Sequence, residues 1–398
     1  MKIAVVTWTS YPNYGTVLQA YALQQAINQL GYENEILSDE EVLRVFRREH
    51  PYESAEKQAD DAQQQSRIQR VFALLRRPGR LLRAVRRRID PEGFAAPYER
   101  SQKAVSDFVA EALCLRLDVR PEDLDRLNGD YDVFLCGSDQ IWSVRPVNFN
   151  PYYFLKFVKK PKFSYAPSLG TDQIPSEKGA EIALLLKDFT AVSVRESRSA
   201  EQLSELLQRE VAWVSDPTLL HDRAFWEAFC QSVPKRGRRY LLCYFLEDRE
   251  WYFHYAQTLA KEMRLTLRLL PNRWEHLIRD CVEKKTVGPR EFVAYFRDAA
   301  YILTDSYHGS IFSLLFEKDF QYLQRFRADD PGSQNIRVTS LFNRLGLQDR
   351  IVKQDVGAKP SYKIPEYDKI KQKTVQFRAS SKQYLETSFG SVKHIMPD

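Results

Sequence analysis

At 398 residues the chain exceeds one typical core, which predicts two domains. With 43% hydrophobic and 28% charged residues it has the balance of a soluble globular protein, and no apolar run reaches the roughly 18 residues of a membrane-spanning helix. The net charge of +6 is local: nine arginines and no acidic residue lie between Arg67 and Arg88, and without them the formal charge is −3, which argues against nucleic acid as a partner.

The elements alternate along the chain. KIAVVTW reads as a first strand, so the MKIAVVTWTS start lacks signal-peptide anatomy. TVLQAYALQQAINQLG is a helix with Leu18, Ala22, Leu23, Ala26, Ile27 and Leu30 on its apolar face and Gly31 as its stop. YENEIL resumes an extended pattern, and an insert follows from about Val42 to Pro97, with the biased tract QADDAQQQ at residues 58–65. YDVFLC, KFSYAPS, FTAVSVR and VAWVS are short strand candidates, with a helix at EKGAEIALLLKDF. A polar, turn-rich break covers residues 221–238. RYLLCYFLE, LTLRLL and AAYILT then read as strands, REWYFHYAQTLAKEM and PREFVAYFRDA as helices, and YDKIKQKTVQFRASSKQYLETSF as a last helix returning across the first domain.

This alternation predicts an α/β protein of two Rossmann-like, doubly wound domains facing a cleft. The expected divisions are 1–225, carrying the insert at about 42–97 and serving as the acceptor side; 226–365 as the donor side; and a C-terminal helix at 366–398. The five cysteines, Cys114, Cys136, Cys230, Cys243 and Cys281, form no CxxC pair. They point away from a zinc site or disulfide framework and suit a reducing cytoplasm.

Four motifs fall where strands end. In SYPNYGTVLQAYAL, Asn13, Tyr14 and Gly15 form a turn whose helix start favours an anion or sugar hydroxyl, with the tyrosine as a stacking surface; the plain structural reading is a simple connection. Its single glycine gives little support to dinucleotide binding. In YDVFLCGSDQIW, Gly137 permits close backbone approach, Asp139 is a hydroxyl holder or base, and Ser138, Gln140 and Trp142 are acceptor contacts, against the alternative of a helix cap. In AVSVRESRSAEQL, the planar fork of Arg195 suits a carboxylate or phosphate, or else Arg195 and Glu196 are a surface pair. Asp216 of WVSDPTLL is as consistent with a turn as with catalysis. In TDSYHGSIFS, His308 is a residue type that can donate a proton and take one back, and it is flanked by Asp305, Ser306, Tyr307, Gly309 and Ser310.

Together, NYGTVLQAYAL, GSDQIW, SYAPSLG, SVRE, DPTLL, GPREF and TDSYHGSIFS resemble the polysaccharide pyruvyl transferase family in order and spacing, over about residues 8–350. The resemblance implies a fold similar to the two-domain GT-B glycosyltransferases. It also implies transfer of the enolpyruvyl unit of phosphoenolpyruvate onto a sugar, as a ketal across two hydroxyls, with no cofactor or metal. Arg195 matches a family arginine that grips the donor, and His308 matches the central histidine. Many members carry an arginine two positions before that histidine, where this chain has Ser306. Arg337, in QNIRVTSLF, is the expected substitute, with Ser306, Gly309 and Ser310 as further donor contacts.

On this reading His308 is the acid–base group and Asp139 holds or deprotonates the acceptor hydroxyl. The alternatives are a nucleotide-sugar glycosyltransferase on the same fold and a catalytically inactive polysaccharide-assembly binding protein. The acceptor is a sugar of a bacterial-type surface polysaccharide or its lipid-linked precursor, handled in the cytoplasm. Residues 67–89 interleave Val71, Phe72, Leu74, Leu75, Leu81, Leu82, Val85 and Ile89 with arginines, around a break at Pro78-Gly79. They read equally as a basic amphipathic helix on the inner membrane face and as a solvated insert. The oligomeric state is left open.

Overall fold

The structure is a computed structural model that describes residues 1–49 except Pro12, residues 91–354 except 146–147, 238, 280–282, 328–329 and 331, and residues 367–393. The arginine-rich stretch 67–89 and Cys281 lie outside the described residues.

The first sheet is built from β1 (Lys2–Val6), β2 (Glu33–Leu37), β3 (Leu115–Arg116), β4 (Val133–Cys136) and β5 (Lys162–Ser164), in the order β3-β2-β1-β4-β5. All its pairings are parallel, with Val5 opposite both Ile36 and Leu135. Ile3, Ala4, Val5 and Val6 are wholly buried, as expected of a strand covered on both faces, and this accounts for the unbroken apolar run in the sequence. Two short strands, β6 (Ser193–Val194) and β7 (Ala212–Trp213), pair with each other, and a bridge between Phe163 and Ala191 connects them to the β5 edge. The second sheet comprises β8 (Tyr240–Tyr244), β9 (Thr266–Leu270), β10 (Glu283–Lys284), β11 (Tyr301–Thr304), β12 (Phe320–Leu323) and β13 (Ile351–Val352), in the parallel order β10-β9-β8-β11-β12-β13. The order reverses between β1 and β4 in one sheet and between β8 and β11 in the other, and doubly wound domains take ligands at such points.

One face of the first sheet is covered by the helix Tyr14–Gln29, through Leu23 and Ile27, and by the C-terminal helix Tyr367–Lys393, through Leu385, Phe389 and Val392. Polar ties fix the latter: Ser215 N donates to Ser381 Oγ at 2.8 Å, Tyr384 donates to the Ser164 carbonyl at 2.9 Å, and Arg378 Nε to the Leu219 carbonyl at 2.7 Å. The opposite face buries Trp142, which requires a correction to its expected role as an acceptor contact. Its indole is wholly buried, stacks on Phe154 at 5.2 Å and 3°, and donates to the Tyr153 carbonyl at 3.0 Å. It is core.

A single apolar cluster joins the two sheets. It takes Tyr14 and Leu18 from the 14–29 helix, Val105 and Phe108 from the helix Pro91–Ala112, and Phe292 and Phe312 from the second-sheet helices Pro289–Asp298 and Tyr307–Leu315. Tyr14 is part of this joint, which corrects the expectation of a sugar-stacking tyrosine. Its ring stacks on Phe292 at 4.4 Å and its hydroxyl donates to the Val287 carbonyl at 2.8 Å.

His221 sits at the same junction, donating from Nε2 to the Ala22 carbonyl at 2.8 Å with its ring 3.8 Å from Phe225. Burial pushes His221, and likewise His276, down to about 4, against about 6.5 for an exposed histidine. Both groups therefore bind protons more tightly in the unfolded chain. The stability they contribute is complete above about pH 6.5 and is lost as pH falls toward 4. Thermal melts should show the midpoint falling between pH 7 and 4.5, with a shallower fall in His221→Gln.

Candidate active site

The carboxyl ends of β1, β4, β5, β6, β7 and β11 meet around one buried guanidinium, that of Arg195, whose side chain has no solvent exposure. Its Nη1 donates to Asp216 Oδ2 at 2.8 Å, its Nε lies 3.5 Å from Glu196 Oε1, and its Nη2 lies 3.6 Å from Asp139 Oδ1. The Tyr307 ring packs against the guanidinium at 4.5 Å. Its Nη2 has no hydrogen-bond partner among the described residues. Burial alone would weaken the charge of Arg195, but Tyr307, Asp216, Glu196 and Asp139 hold it firmly cationic.

Asp216 ties this cation to the histidine. It caps the turn Pro217–Leu220, with Oδ1 accepting from Thr218 N at 3.0 Å and Thr218 Oγ1 at 2.7 Å. Its Oδ2 lies 3.4 Å from His308 Nε2. Burial would raise the Asp216 carboxyl, but His308, then Arg195, outweigh it and hold the group well below the usual carboxylate range.

His308 is presented by the start of the 307–315 helix. Ser306 is the N-cap, its hydroxyl accepting from Gly309 N at 3.2 Å, while Ser310 Oγ donates to the Ser306 carbonyl at 3.1 Å. A side chain at Gly309 would strike Thr304 Oγ1 at 2.3 Å. Ser306, Gly309 and Ser310, expected as donor contacts, thus shape the turn that aims the histidine. On its other side the imidazole lies against Gly15, where a Cβ would be 2.1 Å from His308 Nδ1. Asn13 is the cap of that first helix, its side chain accepting from Gly15 N at 2.9 Å.

The loop after β4 supplies Asp139, held at a positive φ of 64°. Its Oδ2 accepts from Thr16 Oγ1 at 2.7 Å and its Oδ1 from Gln140 N at 3.0 Å. Gly137 must be glycine, since it sits at φ 127° and a Cβ would fall 2.0 Å from the Tyr165 carbonyl oxygen. Ser138 is wholly buried and donates to the Ala166 carbonyl at 2.7 Å, so its hydroxyl braces the loop and does not reach an acceptor. Gln140 spans the cleft: Arg337, on the helix Ile336–Leu345, donates to its Oε1 at 3.1 Å and to Gln334 Oε1 at 2.8 Å. Burial, reinforced by Arg325 and Arg195, pushes the Arg337 guanidinium down to about 10. The structure thus brings Arg195, Asp139, His308 and Gly15 together, with Arg337 and Gln140 facing each other nearby. Sequence reading gave no role to Thr16 or Glu196 and left Asp216 open; the DP and RE pairs at strand ends were the available signals.

The two facing parallel sheets, with charged groups gathered at their strand ends, define an α/β protein of the GT-B-like class. The sequence model of the polysaccharide pyruvyl transferase family matches residues 13–320, and the chain belongs to that family. A structure described as a UDP-N-acetylglucosamine 2-epimerase from Listeria monocytogenes superposes with a TM-score of 0.50 at 8% identity, covering 97% of this chain and 91% of that one, a likeness of fold alone. The UDP complex of MnaA from S. aureus gives a TM-score of 0.47 at 11% identity over 97% and 90% of the two chains. No curated protein matched by sequence.

Because Gly15 and His308 are in direct contact, Gly15→Ala should displace the imidazole while leaving the apolar joint intact. The expected outcome is a melting temperature near wild type with turnover reduced about 100-fold or more, read from parallel melts and rate assays.

Proposed function

We propose that the protein transfers a pyruvyl group from phosphoenolpyruvate to a sugar of a bacterial-type surface polysaccharide or its lipid-linked precursor, closing a ketal across two hydroxyls. The observation that carries this reading is the coupling of Arg195 and His308 through one buried carboxylate, Asp216, with Arg195 Nη2 lacking a hydrogen-bond partner among the described residues. A fork beside an acid–base group is what an anionic enol phosphate needs.

On this reading Arg195 and Arg337 orient the carboxylate and phosphate, and the start of the 307–315 helix adds a favourable field for negative charge. His308 takes the proton of an acceptor hydroxyl, and Asp216 stabilises the imidazolium that results. Asp139, held by Thr16, positions the hydroxyl. No metal or other cofactor is invoked. Docking of a lipid-linked acceptor through residues 67–89 on the cytoplasmic membrane face belongs to the same proposal.

A nucleotide-sugar donor is less well served. At the reversal point of the second sheet the N–H groups of Leu246 and Glu247 donate to the Asp305 carboxylate at 2.6 and 3.0 Å. Glu247 in turn accepts from Arg325 at 3.1 Å and lies 3.7 Å from Arg273. The donors a diphosphate would use there already serve carboxylates.

The test is phosphate release from phosphoenolpyruvate in the presence of a panel of hexose glycosides. His308→Ala should lose about 10²–10⁴-fold of the wild-type rate. A variant with near-wild-type turnover would sink the assignment.

A further inference from the structure

Glu196 occupies the N-cap position of the helix Ser197–Leu207 yet makes no capping bond, although its backbone is extended as a cap requires. Its side chain is turned inward and wholly buried. Oε1 lies 3.5 Å from Arg195 Nε, and Oε2 has no hydrogen-bond partner among the described residues. The bend it sits on meets the second sheet's elements, since Ser197 Oγ lies 3.4 Å from Ser340 Oγ on the 336–345 helix.

As a mere counter-ion Glu196 is superfluous. Arg195 already has Asp216 at 2.8 Å and Asp139 at 3.6 Å, so two carboxylates serve one cation before Glu196 is counted. We propose that Glu196 is the acid that delivers a proton to the methylene carbon of the enol phosphate donor, a role that rests on the function proposed above. Burial also raises the carboxyl above the usual range, although Arg195, Ser168 and Arg337 pull the other way. An anionic donor seated on Arg195 would raise it further.

The step balances. The C2–C3 π electrons take the proton from Glu196, forming a C3–H bond and leaving positive charge at C2 that the ester oxygen shares. An acceptor hydroxyl oxygen then bonds to C2 and its proton passes to His308. The C2–O bond to phosphate breaks, with the electron pair leaving on phosphate, and the second hydroxyl closes the ketal. Of the two hydroxyl protons, one replaces the proton spent by Glu196 and the other leaves with hydrogen phosphate. Two groups, one beside Arg195 and one linked to it through Asp216, thus divide the work, Glu196 as the acid toward carbon and His308 as the base toward oxygen.

The experiment compares wild type, Glu196→Gln and Glu196→Asp, each checked by thermal melt, for phosphoenolpyruvate affinity by calorimetry and for deuterium entry at C3 in D2O by proton NMR, water standing in for the acceptor. Glu196→Gln should keep its dissociation constant within about threefold and lose labelling by about 100-fold or more, while Glu196→Asp, which retains a carboxyl, should label at an intermediate rate. Labelling that persists in a folded Gln variant, or its absence from a wild-type protein that binds the donor, overturns the assignment. A Gln variant that fails to bind assigns Glu196 to holding Arg195 and also overturns it; should that variant not fold, a folded Asp variant that loses donor binding does the same. A wild-type protein that does not bind phosphoenolpyruvate overturns the function itself, and this inference with it.

Discussion

Arg195 carries a full charge on a side chain with no solvent exposure, and the surrounding structure is arranged to make that tolerable. An unpaired buried charge costs far more than a domain's net stability, and removing one member of a buried pair typically costs about 3–5 kcal/mol. The partners come from separate strand ends: Asp216 after β7, Glu196 after β6 and Asp139 after β4. Two of them are fixed in turn. Ser215, beside Asp216, is held by Ser381 of the C-terminal helix, and Thr16 of the first helix holds Asp139. Elements more than 360 residues apart in the chain thereby converge on one guanidinium.

The same arrangement explains why the two halves are joined so firmly. The first helix contributes Tyr14 to the apolar joint and, one residue on, the glycine against which His308 lies. Lost packing at the joint would move the histidine directly. Polar bridges complete the closure, with Arg337 donating to Gln140 and Arg145 to the Gly332 carbonyl at 2.7 Å. Arg195 and Asp216 are fully enclosed beneath this closure, and His308 is only 9% exposed.

Much of this was legible in the sequence. The apolar runs KIAVV, VFLC, YLLCY and YILT marked the central strands because a parallel strand covered on both faces must be apolar throughout. The two-residue strands β3, β10 and β13, and also Phe320–Leu323, carried no such mark; edge pairing alone defines the short ones. Arg195, Asp139 and His308 stood out as polar groups ending apolar runs. Trp142 and Tyr14 were misread for the same reason that made them conspicuous. An aromatic beside a polar motif packs inward as readily as outward, and only the tertiary neighbours Phe154 and Phe292 decide between the two. Asp216 stayed ambiguous because it is both things at once, capping Thr218 with one oxygen and meeting Arg195 and His308 with the other.

On the proposed function, this enclosed cation receives an anionic enol phosphate. Calorimetric titration of the wild-type chain with phosphoenolpyruvate and, separately, with UDP-, GDP- and CMP-sugars tests it most directly, with Arg337→Gln as the companion because Arg337 stands outside the ion pairs of Arg195 and its loss leaves them intact. Binding of phosphoenolpyruvate at one site, weakened at least tenfold in Arg337→Gln, is the predicted result. Binding of a nucleotide sugar with none of phosphoenolpyruvate would contradict the account and assign the cleft to glycosyl transfer.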